Sequence, residues 1–187
     1  MMLINSKIVN KGWKLKPFEL LSVQGSNVNE KILFKKNGLV IAFICNHCPY
    51  VKDIINRLVM DFQELNGIDV GTVAIMPNDA ESYPEDSYEN MIKFAKENNF
   101  SFHYLFDQSQ EIAKSYNAVC TPDFFCFDKN KELFYRGRLD NLKYKSKDSL
   151  SRIKELVNAC KLKNTKGLAV EKQYSSMGCS IKWKKSQ

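Results

Sequence analysis

The chain has no apolar run long enough to cross a bilayer. Its opening residues, MMLINSKIVNKGWK, hold no continuous hydrophobic segment ahead of a small-residue cleavage site. These absences argue against a membrane protein and against a signal peptide, so the cytoplasm is the expected compartment. No internal repeat and no low-complexity tract occurs, which excludes a repeat array. Only one pair of cysteines has C-x-x-C spacing, and zinc normally wants a second such pair. From Lys161 onward there is no arginine and no nucleic-acid-binding motif, although that tail is basic.

What is present fits one domain. The 187 residues are 44% hydrophobic and 26% charged, an ordinary globular balance. The formal net charge is +7, and lysines 161, 163, 166, 172, 182, 184 and 185 against Glu171 place most of it in the tail. Their dispersal reads as a solvated surface, with no nucleic acid and no membrane as partner. Six cysteines in a cytosolic chain point to redox use of a few of them, not to a disulfide scaffold.

The organising stretch is Gly38–Val59, GLVIAFICNHCPYVKDIINRLV. Gly38–Cys45 has the continuous apolar pattern of a strand covered on both faces. After Pro49 the apolar positions Val51, Ile54, Ile55, Leu58, Val59 and Phe62 form a helical stripe. Pro49, lacking an N–H, is tolerated in a first helical turn and fixes its start. Cys45 and Cys48 therefore sit at a strand–helix junction. A thiol there meets free backbone N–H groups and the positive end of the helix dipole, and two thiols at this spacing can close into a disulfide. His47 between them, as imidazolium, would favour a Cys45 thiolate. Inert core thiols or a zinc half-site are the plain alternatives to redox chemistry. Position predicts Cys45 as the exposed nucleophile and Cys48 as the shielded resolving thiol.

Elsewhere, Gly12–Leu20 and Ser22–Asn29 read as an N-terminal hairpin turning at Gln24-Gly25-Ser26, and Met1–Lys11 is weakly patterned. The first helix should stop near Asn66-Gly67, with Ile68–Met76 a strand parallel to the first. Asp79, Glu81, Glu85 and Asp86 form an acidic loop in which Asp86 and Glu89 have capping-box spacing for a helix to Glu97. Phe102–Phe106 reads as a strand, Asp107 and Gln110 as a cap for a helix to about Tyr116, and Asp123–Asp128 with Glu132–Gly137 as a hairpin. Thr121-Pro122 at a strand start is a candidate cis bond. Ser146–Lys161 reads as an amphipathic helix with Leu150, Ile153, Leu156, Val157 and Cys160 on one face. Met177, Ile181 and Trp183 predict a docked tail. The divisions are 1–162 and 163–187, the second a basic tail docked on the first. Cys126 and Cys160 read as core thiols, Cys120 and Cys179 as either accessory redox thiols or packing residues. His103 reads as a local hydrogen-bond partner, and Arg136 and Arg138 as salt-bridge partners of Asp140.

The blocks FICNHCPYVKDI, NDAESYPEDSYENM, YLFDQSQEIAKSY, CTPDFFCFD, YRGRLD and GCSIKWK resemble, in order, those of a bacterial family of thioredoxin-like redoxins grouped with alkyl hydroperoxide reductase and thiol-specific antioxidant domains. The resemblance runs from about Gly12 to Lys184. It implies an α/β thioredoxin-like fold: a central mixed sheet flanked by helices, with an N-terminal β-hairpin and a peroxiredoxin-type helix–strand insertion. It implies a thiol–disulfide oxidoreductase in which Cys45 attacks and Cys48 resolves, with Asn46, His47, Pro49, Thr121 and Pro122 in support. In such folds the proline loop faces the C-x-x-C, Thr121 offering backbone groups to a thiol substrate and Pro122 excluding other ligands. The partners implied are a disulfide-containing protein or a small thiol or peroxide, and a cellular reductant; no cofactor and no metal is implied. Two departures stand out. No acid occupies Gly38–Ile44 where thioredoxins bury an aspartate, leaving His47 or Asp123 to move the proton for Cys48. Ala42 stands where peroxiredoxins place a threonine, which counts against a thiol peroxidase with Cys45 as peroxidatic cysteine. A non-enzymatic Cu(I)-binding protein is the remaining alternative, on the softness of paired thiolates.

Overall fold

The computed structural model describes residues 3–6, 12–146, 148 and 150–185. Of the Met1–Lys11 segment, only 3–6 fall within it. Ten strands are described: β1 (Leu3–Asn5), β2 (Glu19–Ser22), β3 (Asn27–Asn29), β4 (Leu39–Phe43), β5 (Gly71–Met76), β6 (His103–Phe106), β7 (Cys120–Thr121), β8 (Asp123–Phe127), β9 (Leu133–Gly137) and β10 (Met177–Ser180). The helices are α1 (Glu30–Leu33), α2 (Pro49–Gly67), α3 (Tyr88–Glu97), α4 (Glu111–Ser115) and α5 (Glu155–Lys166). Seven strands form a mixed sheet in the order β3-β2-β6-β5-β4-β8-β9, with β4, β5 and β6 parallel and the other pairs antiparallel. A smaller antiparallel sheet runs β1-β10-β7.

Alternation along the central strands divides the core. Val40, Ala42, Ala74, Met76, Phe124 and Cys126 face α2, α3 and α5, packing on Leu58, Phe62, Met91, Phe94, Leu156 and Val157. Leu39, Ile41, Phe43, Val73, Ile75, Phe125 and Phe127 face the other way, onto Ala113, Tyr116 and Phe18. Burial on both faces is why β4 is a continuous apolar run.

Several elements differ from their sequence reading. The Ser146–Lys161 helix begins only at Glu155. Ahead of it Arg152 is held by Asp140 and Asp61, and Ile153 N donates to the Asn141 side chain at 2.6 Å. Leu150 is 98% exposed and Ile153 54%, so the apolar face starts at Leu156. The 162/163 division falls inside α5. Helix α3 is capped by Ser87, which accepts from Asn90 N, and not by Asp86. Helix α4 starts at Glu111 behind an N-cap, Gln110, with φ 64°, while Asp107 reaches forward to the Ala113 N–H at 2.8 Å. Arg136 pairs with Asp123 and Arg138 with Glu155; Asp140 takes Arg57 and Arg152 instead. His103 is a hydrogen-bond partner across strands, Nδ1 lying 3.0 Å from Ser22 Oγ, 81 residues away. No described helix is long and apolar enough to cross a membrane.

Candidate functional site

Strand β4 delivers Cys45 to its C-terminal end, and the chain turns through Asn46 and His47 into α2. Pro49 is the first residue of that helix and Cys48 its N-cap, with φ −65° and ψ 122°. The helix N-terminus thus serves Cys48. The Val51 N–H donates to its sulfur, meeting one of the donors a first turn leaves unpaired. Opposite stands the Thr121–Pro122 peptide, which is cis. Cys45 Sγ is 3.3 Å from the Thr121 hydroxyl, and Cys48 Sγ is 3.2 Å from the Thr121 carbonyl oxygen.

A third sulfur joins them. Cys179 Sγ lies 2.9 Å from Cys48 Sγ, because β10 lies antiparallel to β7 with Cys179 paired to Thr121. Glycine at 178 permits this, since a Cβ there would meet the Thr121 carbonyl oxygen at 2.0 Å. Cys45, Cys48 and Cys179 are 1%, 0% and 1% exposed, so the expectation of an exposed Cys45 is corrected. Strand β10 covers the thiols.

The charge also sits elsewhere than the sequence reading put it. Contacts with Cys45, with Cys179 and with the Val51 N–H outweigh burial and pull the Cys48 pKa down to about 5. The Thr121 carbonyl oxygen, 3.2 Å away, accepts from Cys48 only in its protonated form. Cys45 donates to Cys48, and that bond, with burial and the Asp86 charge, holds its pKa well above the thiol range. Burial first, then donation to Cys48, lifts Cys179 to about 12. Of the three sulfurs, Cys48 is the one whose surroundings favour loss of its proton, while Cys45 and Cys179 are held toward the thiol form.

His47 stacks on Tyr83 and lies 2.7 Å from Asp86, Nδ1 to Oδ2. That carboxylate, chiefly by its hydrogen bond, raises the His47 pKa despite partial burial. Asp86 also accepts from Asn46 N at 2.8 Å and from the Asn78 side chain at 2.7 Å. Asn46 Nδ2 donates to Glu85 O, and its Oδ1 accepts from Tyr104. Asp86 is the residue the sequence reading missed by treating it as a helix cap. A signal existed: β5 is parallel to β4 and beside it, so the loop after β5 must lie at the same edge as the cysteines. Of the two proton carriers considered, His47 stands at the thiols. Asp123 alternates onto the opposite sheet face and is bound to Arg136. Cys120 is buried, its Sγ 3.8 Å from the Pro122 carbonyl oxygen, and burial raises its pKa. Cys126 and Cys160 lie in the core beneath α2 and α5.

Cys45 Sγ, His47 Nδ1 and an Asp86 carboxylate oxygen lie within 4.8 Å of one another. A borderline divalent ion could take this S, N, O set, in competition with the His47–Asp86 ion pair.

The AhpC/TSA family model matches residues 12–136, two thirds of the sequence. The chain belongs to the AhpC/TSA family. Among solved structures, this redoxin is similar to an uncharacterized conserved protein from Geobacillus kaustophilus at 41% identity, over 100% of this chain and 99% of that one, with TM-score 0.93. It is similar to a hypothetical protein from Sinorhizobium meliloti 1021 at 31% identity, over 97% and 99%, with TM-score 0.90. Peroxidoxin BcpB from Mycobacterium tuberculosis, at 16% identity over 67% and 83% with TM-score 0.57, shares the fold alone. No curated protein matches. The fold is the α/β thioredoxin-like one, a central mixed sheet flanked by helices.

Proposed function

We propose that this redoxin is a thiol–disulfide oxidoreductase whose Cys45 and Cys48 cycle between dithiol and disulfide. The observation that carries this reading is the Cys45–Cys48 pair at the helix N-cap facing the cis Thr121–Pro122 peptide, with Cys45 Sγ 3.3 Å from the Thr121 hydroxyl and Cys48 Sγ 3.2 Å from its carbonyl oxygen. Cys45 passes its proton to Cys48 and attacks one sulfur of a substrate disulfide, RSSR′, expelling R′S⁻. The Cys48 proton leaves with that thiolate, and Cys48, returned to the charge the N-cap favours, attacks Cys45 in the mixed disulfide. Starting with Cys48 deprotonated, the sum is RSSR′ + Cys45–SH + Cys48–S⁻ → Cys45–S–S–Cys48 + R′SH + RS⁻, balanced in protons, charge and electrons. A cellular reductant reverses the last bond. Asn46 fixes the loop between the cysteines, His47 on Asp86 supplies a positive charge and a proton site, and Thr121 and Pro122 form the facing wall.

Peroxide reduction is the second reading, favoured by one contact. The Thr121 hydroxyl at Cys45 offers, from another strand, the kind of group that Ala42 lacks. In that case Cys45 becomes sulfenic acid and Cys48 condenses with it, releasing water. Treating the reduced protein with oxidised glutathione and, separately, with hydrogen peroxide decides between them, with the Cys45–Cys48 bond followed by mass spectrometry. Faster closure with the disulfide supports exchange, and Cys48→Ser should then accumulate a glutathione adduct on Cys45. Faster closure with peroxide, through a trappable sulfenic acid, gives the second reading. No Cys45–Cys48 bond under either oxidant sinks both.

A further inference from the structure

The Cys45–Cys48 cycle leaves one thiol at the site unused. We propose that Cys179 is a third redox thiol and that Cys48 is a shared sulfur, bonded in the oxidised protein either to Cys45 or to Cys179. This rests on the Cys45–Cys48 reading and extends it.

Three observations carry it. The Cys48 and Cys179 sulfurs are 2.9 Å apart, less than 1 Å beyond a disulfide bond of about 2.05 Å, so bonding needs little backbone movement. Cys179 is also held there from both sides. On one side Ser176 N donates to Ser6 Oγ at 2.9 Å and Ser6 N to Ser176 O at 2.8 Å. On the other, Ile181 N donates to Val119 O at 3.0 Å and Lys182 N to Asn78 Oδ1 at 2.9 Å. Finally, Gly178 alone allows the strand to approach Thr121 this closely.

The exchange is an isomerisation. In the oxidised protein the Cys179 sulfur attacks Cys48 Sγ. The Cys48–Cys179 bond forms, the Cys45–Cys48 bond breaks, and the Cys179 proton ends on Cys45. No electron enters or leaves, so no further oxidant is needed. In the reduced protein the two sulfurs are in hydrogen-bond contact at 2.9 Å, and the same approach is the line of attack once Cys48 is in a disulfide. The two isomers differ in access. With Cys45–Cys48 bonded, β10 is held by hydrogen bonds and packing, with no covalent tie, and can lift to admit substrate or reductant. With Cys48–Cys179 bonded, β10 is covalently fastened over the site, which stores the oxidising equivalent behind a closed strand.

The test oxidises the full-length reduced protein with one equivalent of oxidised glutathione, quenches in acid, alkylates remaining thiols under denaturing conditions and maps disulfides by mass spectrometry. The wild type should give both Cys45–Cys48 and Cys48–Cys179, Cys45→Ser mainly the latter, and Cys179→Ser only the former. Gly178→Ala, which pushes the strand from Thr121 without touching a sulfur, should lower the Cys48–Cys179 fraction several-fold. The proposal is overturned if wild type lacks that bond and Cys45→Ser instead carries glutathione on Cys48 with Cys179 alkylated. If Cys45–Cys48 is found throughout, the oxidoreductase reading survives that loss. A protein forming Cys48–Cys179 but never Cys45–Cys48 loses the oxidoreductase reading, and with it the sharing of Cys48.

Discussion

Two buried ion pairs flank the Thr121–Pro122 peptide, and they are built for different work. On the thiol side, His47–Asp86 joins a titratable cation, its side chain 16% exposed, to a carboxylate that also anchors the Asn46 backbone. On the opposite sheet face, Arg136–Asp123 joins a permanent cation to a carboxylate, their side chains 1% and 0% exposed, with the guanidinium 4.4 Å from the Phe125 ring. In the first pair the cation is an imidazole, whose charge can be lost and regained, and Asp86 raises its pKa above the ordinary value. The second keeps a permanent cation, although burial lifts the Asp123 pKa to about 6 against the pull of Arg136. Its work is structural: it ties β8 to β9 and, through Arg136 Nη2 to the Asn117 carbonyl oxygen at 2.8 Å, to the turn after α4. Proximity to the proline loop therefore does not make a residue part of the chemistry; what it faces does.

The contrast breaks most visibly at Arg136. Arg136→Met leaves the Asp123 carboxylate buried without its partner, and should cost about 3–5 kcal/mol in denaturant unfolding. The double variant Arg136→Met, Asp123→Leu should recover much of that loss. In the protein that remains folded, the pH dependence of cysteine alkylation should match wild type. A shifted thiol titration would mean that the two sides are coupled and the comparison is wrong.

Asp86→Asn is the opposite kind of change. It keeps an oxygen for Asn46 N but removes the charge that pairs with His47, at a cost of about 1–3 kcal/mol. Because the Asp86 charge raises Cys45 and His47 alike, both pKa values should fall. Cys45 alkylation should then begin at lower pH than in wild type. An unchanged profile with lost stability would make Asp86 a structural residue only.

A smaller effect is expected at His47, and its sign follows from linkage. The folded pKa of His47 lies above its ordinary value of about 6.5, so its ion pair contributes fully below that value. The contribution fades as pH rises through the raised folded pKa. His47→Gln should therefore lose about 1 kcal/mol in acid and progressively less in alkali, read as melting temperature against pH. A deficit independent of pH would show that His47 does not carry charge in the folded protein.

Much of this was legible along the chain. The junction of an apolar run with a helical stripe located β4, α2 and both cysteines, because each pattern is local. The cis Thr121–Pro122 bond and the Gln24-Gly25-Ser26 turn, where Gly25 has φ 85°, were also local signals. What the sequence concealed depends on which distant segments meet. Asp86 has capping spacing with Glu89, and nothing local says that it turns back to Asn46 and His47. Cys179 is 131 residues from Cys48, and only the pairing of β10 with β7 brings their sulfurs together. The distribution of charge among the thiols was misread for a subtler reason. A helix start fixed by Pro49 makes Cys48 the N-cap, so the free N–H groups favour the second sulfur over the first.

The finest division within the site is between the two groups that Thr121 presents. Its hydroxyl touches Cys45, while its carbonyl oxygen touches Cys48 and belongs to the backbone. Thr121→Val removes the first and keeps the second. The hydroxyl lowers the Cys45 pKa against the larger opposing influences of Cys48 and burial. Its loss should raise that pKa slightly and slow the first attack on a disulfide a few-fold, with stability changed by less than about 1.5 kcal/mol. Thr121→Ser, which keeps the hydroxyl, should restore the rate. Cys48 should titrate unchanged in both, since its donors are Cys45, Cys179 and Val51 N. If Thr121→Val shifts Cys48 as well, the side chain is setting the position of the whole proline loop. The two sulfurs could then no longer be tuned separately.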